Sequence, residues 1–451
     1  MKMKQLALTA SAYIRTRMLG RIRSRDQLLQ WQEKQIVRHI ARVRALSAYY
    51  RELWQGLPDE QWRSFPVIDK SDMMTHFDRL NTIGIRKDEA MNAALRAEQT
   101  RDFRPEIGSF TVGLSSGTSG NRGLFLVSER ERLVWAGTVL AKLLPGAFAR
   151  RERVAFFLRA NSNLYQSVNQ GRLQFVYFDL LAPADKLIAQ MNAYRPTVVV
   201  APPSMLRIIG EAHRSGSMNV RPNRLISVAE VLDPLDRLYI EESFIRPVHQ
   251  VYQCTEGFLA ATCEHGTLHL NEDIVHIEKE VVDAELGKFV PIVTDFSRIT
   301  QPIIRYRLND MLTERREPCP CGSPYTAIES IDGRCDDLFY IPAAEDPARF
   351  IPIFPDFISR TVIRASEHIE EYEVEQLAAD HVRISLRVEA AHKQLTERTV
   401  EGMMQELCRQ AGCVPIRIDF APYSNERGDR KLRRVRRTMR TANIPDPVGR
   451  G

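Results

Sequence analysis

Strand-like and helix-like patterns of apolar residues alternate through the middle of this chain. Short apolar runs predict β-strands, and they cover residues 173–178, 197–200, 224–228 and 248–252. The segments between these runs have helical apolar spacing, and they cover residues 184–194, 204–214 and 234–244. Strands that alternate with helices build a parallel sheet covered by helices, so this region predicts an α/β fold.

The two ends of the chain have other patterns. The first hundred residues predict charged helices. Beyond residue 337, alternating apolar runs at 382–388 and 416–420 flank a helix-like segment at 394–409, which predicts a small α+β domain. We therefore expect a large domain over residues 1–335, with a helical N-terminal segment, and a small mobile domain over residues 336–451 with a basic tail.

Composition narrows the class of protein. A chain of 451 residues with 44% hydrophobic content can bury a large core divided among two or three domains. Apolar runs fall short of the roughly 18 residues that a membrane span needs, and the apolar stretch at 6–14 runs into arginines without a convincing cleavage site. Seven cysteines, an odd number, suit reduced thiols and a metal site. We expect a cytoplasmic protein without a DNA partner, because the net charge of +6 is modest and local, and does not by itself imply nucleic acid.

A hydroxyl- and glycine-rich loop lies between two strand-like runs within residues 112–127. Its central residues are Ser115, Ser116, Gly117, Thr118, Ser119 and Gly120. Closely spaced N–H groups and hydroxyls, with glycines that let the backbone approach an anion, are typical of a phosphate cradle. A strand follows the loop and a Lys-Ser/Thr pair does not, so the pattern departs from the P-loop. An ordinary solvated turn is the alternative interpretation.

Several segments resemble, in order, the motifs of the adenylate-forming superfamily, in particular the branch of phenylacetate-CoA ligases and of the enzyme that adenylylates a deazaflavin cofactor. Six motifs of that family have counterparts here in the same order. Residues 115–120 resemble SSGTTG, residues 227–230 resemble GAE, and residues 252–256 resemble YGxTE. Residues 302–310 resemble IRYRTGD, residues 333–337 resemble GRxDD, and residues 428–434 resemble GKxRR. The resemblance implies a large α/β domain with parallel sheets covered by helices and a small mobile α+β C-terminal domain. It also implies an ATP-dependent ligase that converts a small-molecule carboxylic acid into an acyl adenylate.

The resemblance assigns roles around ATP. The phosphate loop would hold the phosphates, and Glu256 with Thr118 would help to place Mg²⁺. Asp310 would accept both ribose hydroxyls, because a carboxylate has two oxygens that match a vicinal diol. Tyr252 would stack on adenine. The other nucleotide-binding residues that the resemblance implies are Ala229, Glu230, Thr255 and Arg334.

The C-terminal basic segment carries the implied catalytic lysine. By resemblance, Lys431 would compensate charge at the α-phosphate during adenylation, and Asp336 would be the hinge of the small domain. The sequence reads Gly-Asp-Arg-Lys where the family commonly has Gly-Lys, so Arg430 competes for the role. Eight of the fourteen residues 427–440 are basic, so a solvated tail that contacts RNA or anionic lipid is a second interpretation.

Cysteines supply a second candidate site. Cys263 and His269 bracket a short turn, and Cys319 and Cys321 follow in Pro-Cys-Pro-Cys-Gly. Three thiolates and an imidazole would make a closed, structural zinc site. His265 is the rival imidazole ligand, and reduced cysteines without a metal are the alternative.

The substrate and the acyl acceptor stay open at this point. The resemblance places an acyl pocket near residues 161–165, 175–177 and 202–204, whose aromatic residues suit an aryl acid or a packed core equally. The acceptor is a thiol of CoA or of an acyl carrier protein's phosphopantetheine, an amine, or none if an AMP adduct is the final product. A noncatalytic nucleotide-sensing or RNA-binding protein is the competing class.

Overall fold

The structure is a computed structural model that describes residues 2–20, 22, 24–100, 105–115, 122–146, 151–158, 172–424 and 431–439. The helices of this part are α1 Lys2–Leu19, α2 Arg25–Leu46, α3 Ala48–Leu53, α4 Lys70–Thr75, α5 Phe77–Leu80, α6 Lys87–Thr100, α7 Glu129–Leu143, α8 Ala184–Tyr194, α9 Pro203–Arg214, α10 Pro234–Phe244, α11 Pro355–Ala365 and α12 Ala390–Gln410. Short 3-10 turns cover Asp59–Ser64 and Cys335–Asp337.

The strands are as follows. The first eight are β1 Glu106–Ile107, β2 Phe110–Leu114, β3 Leu124–Ser128, β4 Glu152–Leu158, β5 Leu173–Asp179, β6 Val198–Ala201, β7 Arg224–Ser227 and β8 Val248–Cys254. The next seven are β9 Gly257–Thr262, β10 Leu268–Leu270, β11 Val275–Asp283, β12 Lys288–Asp295, β13 Tyr306–Arg307, β14 Asp310–Glu314 and β15 Ala327–Arg334. The last six are β16 Phe339–Pro342, β17 Phe350–Ile353, β18 Glu371–Ala378, β19 His381–Arg387, β20 Arg417–Pro422 and β21 Val435–Arg437.

A parallel sheet lies at the centre of the large domain. Strands β5, β4, β6, β7 and β8 pair in that order, all parallel, and β8 continues through the antiparallel β9 into a more extended sheet. Helices α8, α9 and α10 pack apolar side chains such as Leu187, Leu206 and Ile240 against it. Proline at the first position of α9 and α10 preorganises each helix start. The α/β fold predicted from the alternating pattern is confirmed.

A separate antiparallel sheet of β1, β2 and β3 flanks the loop that the sequence predicts to bind phosphate. Strands β2 and β3 pair from Phe110 with Ser128 to Leu114 with Leu124, so the loop joins two strands, as the sequence predicts. Ser128 then caps α7 through a reciprocal capping box with Glu131, which explains why the helix begins directly after the strand.

Helix α1 packs closely on α7. A Cβ atom on Gly137 would clash with the carbonyl oxygen of Thr9 and lie 2.9 Å from the Cβ of Ala12, so only glycine allows this approach. The two helices also share a hydrogen bond from Thr16 to Thr138 of 3.4 Å. None of the helices in the described residues has both the length and the apolar character needed to cross a membrane.

The C-terminal part has its own sheet and core. Strands β20, β19, β18 and β21 pair in that order, with β18 and β19 antiparallel and the outer pairs parallel. Helices α11 and α12 cover this sheet, and the core between them includes Val374, Ile384 and Met404. The alternating runs predicted for this region therefore form strands, and the helix predicted at 394–409 is α12.

Candidate functional site

A deep cleft lies beyond the carboxyl ends of the parallel strands, where ligands of such sheets bind. Pro202 follows β6, the turn with Ala229 and Glu230 follows β7, and Thr255 follows β8, and these residues line the cleft together. The topology thus places the polar residues singled out in the sequence at one edge of one sheet.

The turn after β7 has unusual backbone geometry. Ala229 has a φ of +70°, a left-handed conformation that a residue with a Cβ rarely adopts. This turn directs Glu230 into the cleft, where its carboxylate accepts the backbone N–H of Leu432 at 3.1 Å and that of Ser204 at 3.4 Å. Glu230 therefore joins the large domain to the segment that carries Lys431.

Asp310 lies at the first residue of β14 and pairs with Arg334 of β15 across the sheet. The hydroxyl of Tyr252 donates to Oδ2 of Asp310 at 2.7 Å. Burial raises the pKa of Asp310, whereas the Tyr252 hydroxyl and the charges of Arg334 and Lys431 lower it. The structure brings these four predicted residues together, and a carboxylate oxygen that accepts one hydrogen bond can accept another.

Glu256 lies one turn beyond β8. Its Oε2 accepts the Thr255 hydroxyl at 2.8 Å and its Oε1 accepts the Tyr306 hydroxyl at 3.2 Å. Burial raises the pKa of Tyr306, so its hydroxyl stays a donor to this carboxylate. Two hydrogen-bond donors, Thr255 and Tyr306, thus hold the Glu256 side chain within the cleft.

Only the base of the phosphate loop lies in the described residues. The Ser115 hydroxyl accepts the backbone N–H of Gly123 at 2.7 Å, and the Ser115 N–H donates to the Gly123 carbonyl at 2.7 Å, so this pair closes the loop. The predicted loop residues Ser116, Gly117, Thr118, Ser119 and Gly120 lie outside the described residues.

Lys70 is a site residue that the sequence interpretation missed. Its ammonium lies 3.4 Å from the Ser115 hydroxyl and interacts electrostatically with the charges of Glu256 and Arg334. The approach is tight, because a Cβ on Gly123 would lie 3.0 Å from Cε of Lys70. Burial lowers the pKa of Lys70, and the Glu256 carboxylate raises it. The Lys70 ammonium therefore lies beside Ser115, at the base of the predicted phosphate loop.

The backbone explains how Lys70 reaches the loop. Ile68 forms a parallel bridge with Tyr306, through hydrogen bonds to the backbone of Arg305 and Arg307. Asp69 then caps α4 in a capping box with Asp72, which starts the helix at Lys70. The capping pattern is visible in the sequence, but the bridge that brings it to the cleft joins segments more than 200 residues apart.

Lys431 also lines the cleft, and its positive charge lowers the pKa of Asp310. The residues after it form strand β21, which pairs in parallel with β18. The arginines of this segment lie on carboxylates: Arg433 on Asp337, and Arg434 on Asp236 at 2.6 Å. The described part of the basic segment, residues 431–439, is thus built into the small sheet, unlike a solvated tail.

Asp336, the predicted hinge, lies in the 3-10 turn between β15 and β16. It is exposed, and its carboxylate accepts the side-chain amide of Asn309 at 2.5 Å. Its carbonyl accepts Nε of Arg437 at 3.3 Å. Asp336 thus lies in the connection between the last strand of the large sheet and the first strand that follows it, and its role as a hinge stays a prediction.

The apolar wall of the cleft comes from elements that the sequence interpretation did not assign. Val134 and Trp135 of α7 line it beside Phe156 and Leu158 of β4. Of the predicted acyl-pocket residues, Pro202 lines the cleft, whereas Phe175 packs against the core that includes Val154 and Leu173. Residues 161–165 lie outside the described residues.

The second candidate site is a group of four ligating side chains. One donor atom each of Cys263, His269, Cys319 and Cys321 lies within 4.8 Å of every other. Sγ of Cys263 and Sγ of Cys319 are 3.7 Å apart, and Sγ of Cys321 lies 3.4 Å from Nε2 of His269. Around tetrahedral zinc, with bonds of about 2.3 Å to sulfur and about 2.0 Å to nitrogen, these separations are about 3.8 Å and about 3.5 Å.

The hydrogen bonds of His269 also suit a metal ligand. Nδ1 of His269 lies 3.1 Å from the carbonyl oxygen of Tyr325, so a proton on Nδ1 leaves Nε2 free to face the sulfurs. His265, the rival ligand, is exposed and contacts Glu264 at 3.8 Å. The geometry therefore groups His269, and not His265, with the three cysteines.

Comparisons with known proteins place the chain in a wider context. No protein-family model matches it. The phenylacetate-coenzyme A ligase of Thermus thermophilus is 21% identical over 380 residues, which cover 78% of each chain. The crystal structure of 2-hydroxyisobutyryl-CoA ligase in the postadenylation state, in complex with 2-HIB-AMP, matches with a TM-score of 0.67 at 20% identity and covers 90% of this chain and 88% of that chain.

The same ligase provides a second point of comparison. In complex with 2-HIB-AMP and CoA in the thioesterification state, it matches with a TM-score of 0.55 at 19% identity, over 90% of this chain and 89% of that chain. The fold is therefore shared with adenylate-forming enzymes, and the resemblance found in the sequence is confirmed. The structure of this chain matches the postadenylation state of that ligase better than its thioesterification state.

Proposed function

We propose that this chain, a member of the adenylate-forming superfamily by sequence and fold, is an ATP-dependent ligase that activates a carboxylic acid as its acyl adenylate and transfers the acyl group to the thiol of CoA. The observation that carries the proposal is the meeting of cations and carboxylates at the mouth of the phosphate loop. Lys70, Arg334 and Glu256 line the same cleft, where Lys70 interacts with the charges of both of the others, while Arg334 and Lys431 act on Asp310.

This charge pattern suits a nucleotide triphosphate. The two lysines and Arg334 would neutralise phosphate oxygens, and Lys431 supplies a compact cation where charge develops on the α-phosphate. Asp310 would take the ribose hydroxyls at the other end of the nucleotide. Glu256 would hold Mg²⁺, which supplies charge neutralisation of the phosphate oxygens when bound. A module that only senses a nucleotide has no need for a group at the reacting phosphate.

The reaction has two balanced steps. A carboxylate oxygen of the acid attacks the α-phosphorus, the bond to the bridging oxygen breaks, and pyrophosphate leaves with its electron pair. The thiolate of CoA then attacks the carbonyl carbon of the acyl adenylate, and AMP leaves. Trp135, Phe156 and Leu158 provide an apolar wall for the acyl group and exclude water from the reactive anhydride.

CoA is the proposed acceptor because the relatives named above are CoA ligases by description. An acyl carrier protein would present the same thiol on a phosphopantetheine arm, and an amine would leave a stable amide. These acceptors give different products, so one product analysis separates them.

The described part of the basic segment, residues 431–439, gives little support to the interpretation as a nucleic-acid or lipid tail. Arg433 and Arg434 contact carboxylates, and Arg436 contacts Glu375 at 3.3 Å. Cations that are already paired within the fold add little attraction for phosphate backbones or lipid headgroups. We therefore favour the ligase over an RNA-binding function.

We also propose that Cys263, His269, Cys319 and Cys321 hold one structural zinc ion. Three thiolates and an imidazole close the tetrahedron, so no position is open for substrate. The ion would tie the turn between β9 and β10 to the loop before β15 and would take no part in acyl transfer.

The test of the ligase is carboxylate-dependent exchange of pyrophosphate into ATP, screened over aryl, hydroxy and fatty acids. We expect at least one acid to support exchange, and Lys431→Ala to reduce that exchange by about 10²-fold or more, the size of losing one oriented charge on a transition state. Arg430→Ala is the matched control for the register and should retain exchange. Full exchange in Lys431→Ala, or loss only in Arg430→Ala, would contradict the assignment.

A further inference from the structure

Each of the three residues that follow Lys431 donates a hydrogen bond to a carboxylate from another part of the chain. The backbone N–H of Leu432 donates to Glu230, Nε of Arg433 donates to Asp337 at 3.0 Å, and Arg434 places two nitrogens on Asp236 at 2.6 and 3.2 Å. We call these three carboxylates the acid clamp.

The contact of Arg434 with Asp236 is the innermost part of the acid clamp. The two side chains are 6% and 1% exposed, and their fork-to-carboxylate geometry is the most direction-dependent ion pair that side chains form. Asp236 belongs to α10 of the large domain, whereas Arg434 directly precedes β21 of the small sheet. One buried pair therefore spans the two domains.

Further hydrogen bonds tie this pair into both domains. Arg434 donates to the Tyr372 carbonyl of β18 at 3.0 Å, and the Tyr372 hydroxyl donates to Asp233 at 2.6 Å. Asp233 in turn caps α10 by accepting the N–H of Leu235. A helix end of the large domain, strand β18 of the small sheet and the segment just before β21 thus share one buried polar network.

We propose that Asp236 acts through Arg434 as a positioning residue for Lys431, and that the acid clamp, through its large-domain members Glu230 and Asp236, latches the small domain in the arrangement in which adenylation occurs. This inference rests on the proposed ligase function. Lys431 is three residues from Arg434 along the chain, so fixing residues 432–434 restrains the backbone from which the lysine side chain extends. The better match to a relative in the postadenylation state than in the thioesterification state fits a latched adenylation arrangement.

The chemistry of the clamp suits a latch that can open. A buried ion pair adds little net stability, because its attraction repays the cost of removing both charges from water. The ion pair does fix the relative position of the two side chains, because a buried charge that loses its partner raises the free energy of the folded state. If the small domain moves away, Arg434 regains water while Asp236 keeps its ion pair with Arg207 of α9 at 3.3 Å, so the clamp can release without leaving an unpaired buried carboxylate.

The experiment separates the two half-reactions. Asp236→Asn keeps the side-chain volume and removes the charge, and we expect it to reduce pyrophosphate exchange by about 10²-fold, as for a reacting group displaced by about 1 Å. AMP release from chemically made acyl adenylate with CoA should stay near the wild-type rate, because that step does not use the latched arrangement. Arg434→Lys keeps the positive charge but loses the two-nitrogen contact with Asp236, so it should retain more pyrophosphate-exchange activity than Arg434→Ala.

Two further variants keep the test decisive. Tyr372→Phe removes one hydroxyl from the network, so it tests the clamp if Asp236→Asn does not fold; we expect about tenfold slower exchange with the same selectivity between steps. Asp59→Asn is the matched control, because it breaks an Arg–Asp pair with Arg44 of 2.8 Å in the N-terminal segment, and both half-reactions should remain unchanged.

The outcomes distinguish the two proposals. Equal loss of both half-reactions in Asp236→Asn and Tyr372→Phe, or normal exchange in folded clamp variants, overturns the latch. If Lys431→Ala abolishes exchange while the clamp variants retain it, the ligase stands and only the latch fails. If no acid supports exchange even in the wild type, the ligase function itself is wrong.

Discussion

Removing the imidazole of His269 should release the metal that the cysteine cluster is proposed to hold. The separations of 3.7 Å between two sulfurs and 3.4 Å between sulfur and nitrogen lie within about 0.1 Å of those around tetrahedral zinc, and all four donor atoms lie within 4.8 Å of one another, so the ligands are already gathered for binding. Structural zinc sites bind with about 10–16 kcal/mol at neutral pH, or about 2.5–4 kcal/mol for each ligand. His269→Ala should therefore weaken zinc binding by about 10²- to 10³-fold.

The assay is elemental analysis of protein purified without chelator, followed by competition with a chromogenic zinc chelator. We expect one zinc per wild-type chain, one per chain in the His265→Ala control, and loss of zinc to the chelator at far lower concentration in His269→Ala. Because zinc that binds the folded chain stabilises it by mass action, the thermal midpoint of the wild type should fall when the metal is stripped and that of His269→Ala should change little.

Two results would refute this reasoning. Wild-type protein without stoichiometric zinc would mean that the four side chains form a cluster of ordinary reduced thiols. Zinc retained in His269→Ala but lost in His265→Ala would mean that the imidazole ligand was assigned to the wrong histidine.

Two other predictions concern the cleft and the N-terminal helix. Tyr252→Phe removes the hydrogen-bond donor that favours the ionised form of Asp310, so the pKa of that carboxylate should rise. The acid limb of the pH profile for pyrophosphate exchange should then move to higher pH. An unchanged acid limb would mean that the ionisation of Asp310 does not control this limb. Gly137→Ala should gain about 1 kcal/mol of helix propensity but lose about 2–3 kcal/mol to the clash with α1, so the urea midpoint should fall and the amides of α1 should exchange faster. Gly402→Ala in α12, where nothing lies within 4 Å, should raise the midpoint, and the same direction in both variants would contradict the close packing.

Local patterns in the sequence predicted much of the fold. The helices at 184–194 and 234–244 match α8 and α10, because periodic apolar spacing over ten residues leaves few other ways to bury a face. The strands that precede Glu230 and Glu256 were also predictable, and a parallel sheet then brings their carboxyl ends to one edge. The three cysteines of the candidate zinc site could be proposed from residue type and spacing, but the choice between His265 and His269 came from the structure.

Packing between distant segments decided the rest. Lys70 reaches Ser115 only because the Ile68 bridge to Tyr306 draws the N-terminal segment across the cleft. Arg434 looks like one more basic residue in a charged tail until it meets Asp236, 198 positions away. Sequence spacing determines which side chains share a helix face or a strand end, because these depend on neighbours along the chain. Which cation lies beside which carboxylate depends on how whole elements pack, and no short window of sequence contains that information.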